Sequence, residues 1–342
     1  MMRLWGMLLA VLVLCSAVEN RDARAMIIWG YDGSPQMEEK YRHLIVDHSN
    51  PCATVRRNTS PAFILSPYLD QLTGIGSRVN MKAPGCIQNL DHAQVTLVTP
   101  RHVIVSESLG IWQQAQTVAF VGSDNQVYVV KTRPGYRVLS HTANPGLNTN
   151  IALVELEATL PASVSPMHVA SFSLQHMQQI KNGMTYYAFG NAHPGINYRQ
   201  WQSYGDPNAK AVGVNQIVLA QGSYSGHGIS TDGLVQDNLR QADNPASGNW
   251  NDYWRTEQAQ APHQGVAFMR AYDTSSPSVV LIADSAGKVR PHVFGLNWTY
   301  NTSSSLGFVH ADLLQKIAEY NQATGSSYAI NSASLKTAAV AR

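Results

Sequence analysis

Charge is scarce in this chain: only 13% of its 342 residues are Asp, Glu, Lys or Arg, and the net charge is +2. Such a balance leaves no basic footprint for nucleic acid and no polybasic patch for a membrane surface, so neither polyanion is expected as a partner. Cysteine is scarce too. Cys15, Cys52 and Cys86 are the full set, with no CxxC and no Cys/His cluster at zinc-ligand spacing, so the residues call for no metal and no cofactor. Long apolar runs are missing beyond the start. The run Leu4 to Val18 spans 15 residues, short of the roughly 20 that cross a bilayer. What is plentiful is core-forming material: 44% of the residues are hydrophobic, enough for one large or two smaller domains and against a disordered chain.

Arg3, the apolar run and the small-residue site Ala23-Arg24-Ala25 together read as a secretion signal over residues 1–25, which predicts a secreted or periplasmic protein. The alternatives are a membrane anchor, for which the run is short, and a lipoprotein at Cys15, for which Ser16 and Ala17 make no clear processing box. In an oxidising compartment Cys52 and Cys86 are expected to pair. The bond would close a loop of about 33 residues and contribute on the order of 3 to 4 kcal/mol. Two unpaired thiols are the other reading.

The middle of the chain reads as short strands. Val95 to Val98 is apolar and β-branched, and Thr117 to Val121 joins Val127 to Val130 through the turn-rich Gly122 to Asn125, a hairpin signal. Ile151 to Leu156 and Thr185 to Phe189 continue the pattern, as do Val266 to Met269, Ser278 to Ala283 and Val293 to Leu296. From Asn191 to Gln264 the residues turn polar and glycine-rich with scattered aromatics, which reads as long loops with one strand, Val212 to Leu219. A helix from about Ala311 to Tyr320 is expected to bury Leu313, Leu314 and Ile317 and to stop at Gly325, with a frayed tail over 326–342. Short strands separated by turns argue for barrels or sandwiches rather than a parallel sheet with crossover helices.

Three segments, in order, resemble the chymotrypsin/trypsin family of serine proteases. Val95 to Gly110, VTLVTPRHVIVSESLG, is similar to the family's LISPRHVLTAAHC, and aligning Pro100-Arg101-His102-Val103 with PRHV puts Ser108 at the catalytic histidine. NTNIALVELE is similar to DNDIALLKL and puts Asn150 at the aspartate. YDTSSPSVVL is similar to GDSGSPLV and puts Thr274 at the nucleophile, keeping Asp273 and Pro277. The last strand and helix, Leu306 to Tyr320, also look like the family's C-terminus. The resemblance implies an all-β fold of two six-stranded antiparallel β-barrels with a C-terminal α-helix: an N-terminal half over 26–165 and a C-terminal half over 166–325. An unrelated β-sandwich is the competing fold.

All three triad positions carry the wrong chemistry. Serine is far too weak a base to take a proton near neutral pH, so Thr274 would stay a neutral, weak nucleophile. Asn150 matches aspartate in shape but not in charge, a change that by protease precedent costs about four orders of magnitude even with a histidine present. Tyr272, two residues before Thr274, and Ser275 after it stand where the family usually has glycine, which puts the oxyanion hole in doubt. The resemblance therefore implies a catalytically inactive homologue acting as a protein- or peptide-binding module. The alternative is an active serine-type endopeptidase, or another hydrolase, with a relocated base or nucleophile.

If a ligand binds, the resemblance points to the inherited cleft. The family's SWG strand matches Asn297-Trp298-Thr299 with one residue deleted, and the pocket floor six positions before the nucleophile falls at Phe268. Tyr272, Asp273, Phe268, Asn297, Trp298 and Thr299 are thus the expected cleft residues, forming an apolar or filled pocket. Ile27-Ile28-Trp29-Gly30 is faintly similar to the family's IVGG start, but Met26 would precede it after cleavage, so no buried N-terminal ion pair to Asp273 is expected. His102 opens a strand away from the triad position, and Gly222 to His227 reads as a glycine-rich surface loop rather than a nucleophile elbow. Three N-glycosylation sequons, at Asn58, Asn297 and Asn301, matter only if the source is eukaryotic.

Overall fold

The structure is a computed structural model. It describes residues 65–84, 86–107, 110–141, 148–171, 275–283, 286–299, 302–305 and 309–334, with strand segments at 27–28, 182–189, 218–225, 229–231, 234–241, 252–255 and 267–268. These residues are mostly β-sheet, with one α-helix among them, which places the chain in the all-β class. None of the described helices is long and apolar enough to cross a membrane.

In chain order a short β1 (Ile27–Ile28) is followed by β2 (Ile75–Ala83), β3 (Cys86–Thr99), β4 (His102–Ser106), β5 (Thr117–Val121), β6 (Val127–Lys131), β7 (Arg137–Ser140) and β8 (Asn148–Glu155). The strands β2 to β8 form one seven-stranded antiparallel sheet in the order β6-β5-β2-β3-β4-β8-β7. The expected hairpin is present as β5 and β6. Gly122 N–H donates to the Gln126 carbonyl at 2.9 Å, and Asn125 takes the left-handed backbone, φ 61°, that the turn requires. The sheet is not a closed barrel, but its end strand β6 runs on to meet β8. Arg133 N–H donates to the Glu155 carbonyl and Glu157 N–H to the Lys131 carbonyl, both at 2.8 Å, and Thr132 bridges Leu156.

The inner strands β4, β5 and β8 of this sheet are buried on both faces, which is why they read as apolar runs, whereas the end strands β6 and β7 are partly exposed. Successive side chains point to opposite faces. Val103, Val105, Ala152 and Val154 therefore join Trp112, Phe120 and Val118 in one cluster. Ile104, Ile151 and Leu153 face the other way and pack with Val279, Val293 and Leu296 of the second sheet.

The second sheet collects β9 (His168–Ser171), β10 (Asn182–Phe189), β11 (Val218–Ser225), β12 (Ile229–Thr231), β13 (Leu234–Gln241) and β14 (Asp252–Arg255). After a short β15 (Ala267–Phe268) it continues with β16 (Pro277–Ala283), β17 (Val289–Thr299) and β18 (Thr302–Ser305). Its main path is β11-β10-β16-β17-β18-β14-β13-β12, and with β9 and β19 (Ser332–Ser334) it has ten strands. Strand β9 pairs in parallel with both β17 and β19.

Two expectations are corrected here. Residues 191–264, read as long loops with one strand, carry the four strands β11 to β14. Residues Gly222 to Ser225, read as a surface loop, lie in β11 paired with β10. Glycine and polar residues hid these strands from a reading based on apolar alternation, because backbone pairing needs no particular side chain.

The helix α1 (His310–Thr324) is longer than expected at its far end and stops where Gly325, at φ 69°, supplies the left-handed terminus that a side chain would disfavour. Its buried face is Leu313 and Ile317, one turn apart, whereas Leu314 is 39% exposed. Adjacent helix residues sit 100° apart, so 314 falls at the edge of the stripe that 313 and 317 centre on the core. The chain beyond Gly325 does not fray as far as Ser334. Tyr328 and Ile330 pack on the main core, Tyr328 N–H donates to Asn321 Oδ1 at 3.0 Å, and β19 lies along β9.

Candidate functional site

The ends of β4 and β8 meet the start of β16. Ser106 closes β4 and pairs with Ile151 of β8, so Asn150 sits beside the end of β4. From the other half of the chain, Ser275 Oγ accepts a buried hydrogen bond from Ser106 N–H at 2.6 Å, across 169 residues. The Ser106 carbonyl accepts from Trp112 Nε1–H at 3.0 Å. Both backbone groups of Ser106 are therefore tied, one to the second sheet and one to a fully buried indole.

Two residues here hold positive φ without being glycine: Asn150 at 55° and Ser275 at 70°. Asparagine visits this region readily after glycine, so Asn150 suits its backbone. Serine does not, and Ser275 carries strain at a position where glycine would be relaxed. Asn150 is 3% exposed, and Ser275 and Ser276 are fully buried. Among the described residues Ser276 Oγ has no hydrogen-bond partner.

Asn150 and the chain neighbours of the other two triad positions thus come to one place. Ser108 and Thr274 themselves lie outside the described residues, as do Tyr272, Asp273 and Cys52. Phe268 lies in β15 and pairs with Ile27 of β1, so the segment faintly similar to IVGG runs beside the strand expected to form the pocket floor. Asn297, Trp298 and Thr299 end β17. Pro277 of β16 pairs with Leu296, so one residue beyond that pair stand Ser276 and Asn297, and the register with β18 shifts between Asn297 and Thr299. Cys86 opens β3, half-buried and not a free thiol.

The chemistry of the described part is neutral. Ser275 Oγ accepts from a backbone N–H, and among the described residues no histidine bonds to it. His102 opens β4, four residues from Ser106, or about 13 Å along an extended strand. No family model matches the chain. No curated protein matches it either.

His102 instead belongs to a second polar cluster, at the opposite end of β4. Its Nδ1 pairs with Thr99 Oγ1 at 2.8 Å, and that oxygen also accepts from Arg101 N–H at 3.2 Å. With the threonine proton directed to Nδ1, the ring proton sits on Nε2. The ring lies edge-on to Tyr320 and Tyr328, with centroids 4.4 and 5.6 Å away. Burial is the main cause that lowers its pKa to about 4, Arg101 and Arg137 add to the shift, and Glu155 opposes it. Glu155 accepts from Arg101 Nε and from the Tyr320 hydroxyl, each at 2.9 Å, with Arg133 Nε at 3.3 Å. Partial burial alone would raise the Glu155 pKa, but these donors outweigh it and hold the carboxyl below its ordinary value. Sequence reasoning passed over this cluster because its members come from separate elements, each ordinary where it stands.

Proposed function

We propose that this chain is an exported homologue of the trypsin-like serine proteases that has lost catalysis and binds a protein or peptide in the inherited cleft, its seven- and ten-stranded sheets standing where that family has two six-stranded β-barrels. The observation that carries the reading is the Ser106–Ser275 hydrogen bond, which joins two segments that the resemblance alone assigns to one active site. Asn150 beside them, the left-handed backbone at Ser275 and the pairing of β1 with β15 support it. So does the run of the chain beyond β6 onto the end of β8, which brings one end strand of the first sheet near the second strand from its other end.

The loss of catalysis follows from the residue types. Ser108 offers no base, Asn150 no negative charge to stabilise one, and the Ser275 hydroxyl is fully buried and accepts from the Ser106 N–H. Export through residues 1–25 and a Cys52–Cys86 disulfide belong to the same reading.

The cleft is tested by capturing a partner with the mature protein and following amide hydrogen exchange. Protection at 272–276 and 297–299, with binding weakened by about 1 kcal/mol or more in Trp298→Ala, is expected. Protection elsewhere with these segments unchanged would mean that the inherited groove is not the binding surface.

A further inference from the structure

The polar cluster at the start of β4 opens into a cavity of about 280 Å³ between the 133–137 segment, which links β6 to β7, and helix α1. Three cations line it: Arg133 and Arg137 from the segment and Lys316 from the helix, against the single carboxylate of Glu155. Two of the three have donors to spare. Arg133 is 55% exposed and reaches Glu155 through Nε, and among the described residues its terminal amino groups make no ion pair. Arg137 is 61% exposed, and its ion pair to Glu319 is long at 3.9 Å. Lys316 is shared between Asp312 at 3.8 Å and Glu319 at 3.3 Å.

Glu155 cannot neutralise this group alone: its Oε1 accepts from Arg101 Nε and the Tyr320 hydroxyl at 2.9 Å and also meets Arg133 Nε at 3.3 Å, so one carboxylate is shared among several donors. The planar fork of an arginine matches two oxygens of a carboxylate or phosphate, and two arginines four residues apart can grip one anion from both sides. The rest of the wall is different. Leu153, Tyr136, Pro134 and the Tyr320 ring present carbon, and His102 is neutral and buried behind them. The volume lies at the lower end of the range for small-molecule sites, about 300 to 1,000 Å³.

We propose that this cavity binds a small organic acid, its oxyanion held by Arg133, Arg137 and Lys316 and its compact apolar body against Leu153 and Tyr320. The site is separate from the triad junction, and its existence does not depend on whether the chain is a protease homologue. Carboxylate and phosphate monoester share the chemistry that the cations recognise, and the test tells them apart.

The full mature protein is titrated at low salt with benzoate, phenyl phosphate and inorganic phosphate, followed by calorimetry and by amide chemical shifts. Saturable one-site binding of benzoate or phenyl phosphate is expected, with shift changes centred on 133–137 and on α1 around Lys316 and Tyr320. Binding of benzoate alone assigns a carboxylate, and of phenyl phosphate alone a phosphate ester. Arg133→Gln and Arg137→Gln should each weaken binding at least fivefold, and the pair together at least twentyfold, while the exposed positions leave Tm within about 2 °C. Added salt should weaken it further, as for any exposed charge contact. Absence of saturable binding, or equal affinity in the double variant, would overturn the site. Inorganic phosphate binding as tightly as phenyl phosphate would overturn the role given to the apolar wall.

Discussion

Ser275 does two things whose energetic effects have opposite sign, and two substitutions separate them. Its hydroxyl satisfies the buried Ser106 N–H, and its backbone stands at φ 70°. Removing the hydroxyl leaves a buried donor without a partner, at about 1 to 3 kcal/mol. Ser275→Ala bears that whole cost and keeps the left-handed strain. Ser275→Gly bears the same cost but recovers about 1 to 2 kcal/mol of strain, less about 0.4 to 1 kcal/mol for the freer unfolded chain. Glycine should therefore lie roughly 0.5 to 1 kcal/mol above alanine, with both below the parent. In a domain of this size the gap corresponds to about 1 to 4 °C in Tm. Urea unfolding of the three proteins, compared at equal m-value, gives the order directly. The order parent, glycine, alanine is expected. An alanine variant as stable as the glycine variant would refute the strain, and a parent no more stable than either would refute the hydrogen bond.

The helix face gives a second comparison: Leu313→Ala should cost about 2 to 5 kcal/mol as a buried truncation and Leu314→Ala under about 0.5 kcal/mol, read by thermal unfolding; similar losses would restore the face expected from sequence. Ser276→Ala removes a buried hydroxyl that has no partner, so stability should be unchanged or rise by up to about 2 kcal/mol, and a clear loss would reveal a bond absent from the structure. The buried His102, with its pKa lowered to about 4, binds fewer protons folded than unfolded between about pH 6.5 and 4. Stability should therefore fall as pH drops through that window, by up to about 3 kcal/mol from this residue among Arg101, Arg137, Glu155, Tyr320 and Tyr328. Much of that acid loss should vanish in His102→Gln, and an identical pH–Tm profile for the two proteins would show that His102 does not titrate there.

The parts of the fold that were legible in the sequence are those where burial dictates composition. Strands β3, β4, β5 and β8 are packed on both faces and announce themselves as Val, Ile and Leu runs. Strands β11 to β14 carry polar and glycine-rich sequence, so nothing in their composition separates them from loops. Leu314 was misplaced because three leucine and isoleucine positions fit a broad stripe, while packing selects a narrower one. Of the junction, Asn150 was legible through its NTNIALVEL segment. The positive φ at Ser275 had no signal in the residue itself, since serine does not ask for it; only the resemblance, which sets a glycine there, hinted at it. The bond from Ser106 to Ser275 spans 169 residues and depends on how two sheets meet, which no local pattern encodes. The cavity beside His102 was hidden for the same reason: Arg101, Glu155, Tyr320 and Arg137 converge only when α1 lies on the first sheet.

The central claim is a protease-like junction without a working nucleophile, and a fluorophosphonate probe tests it at the atom concerned. The mature protein is incubated with the probe beside active trypsin as a positive control, then digested and read by mass spectrometry for adducts at Thr274, Ser275 and Ser276. The account predicts full labelling of trypsin and none of this chain, with no cleavage of mixed peptide substrates. An adduct on Thr274 or Ser275, with peptide cleavage lost in Thr274→Ala or Ser275→Ala, would contradict it and establish a working hydrolase with a base recruited from elsewhere.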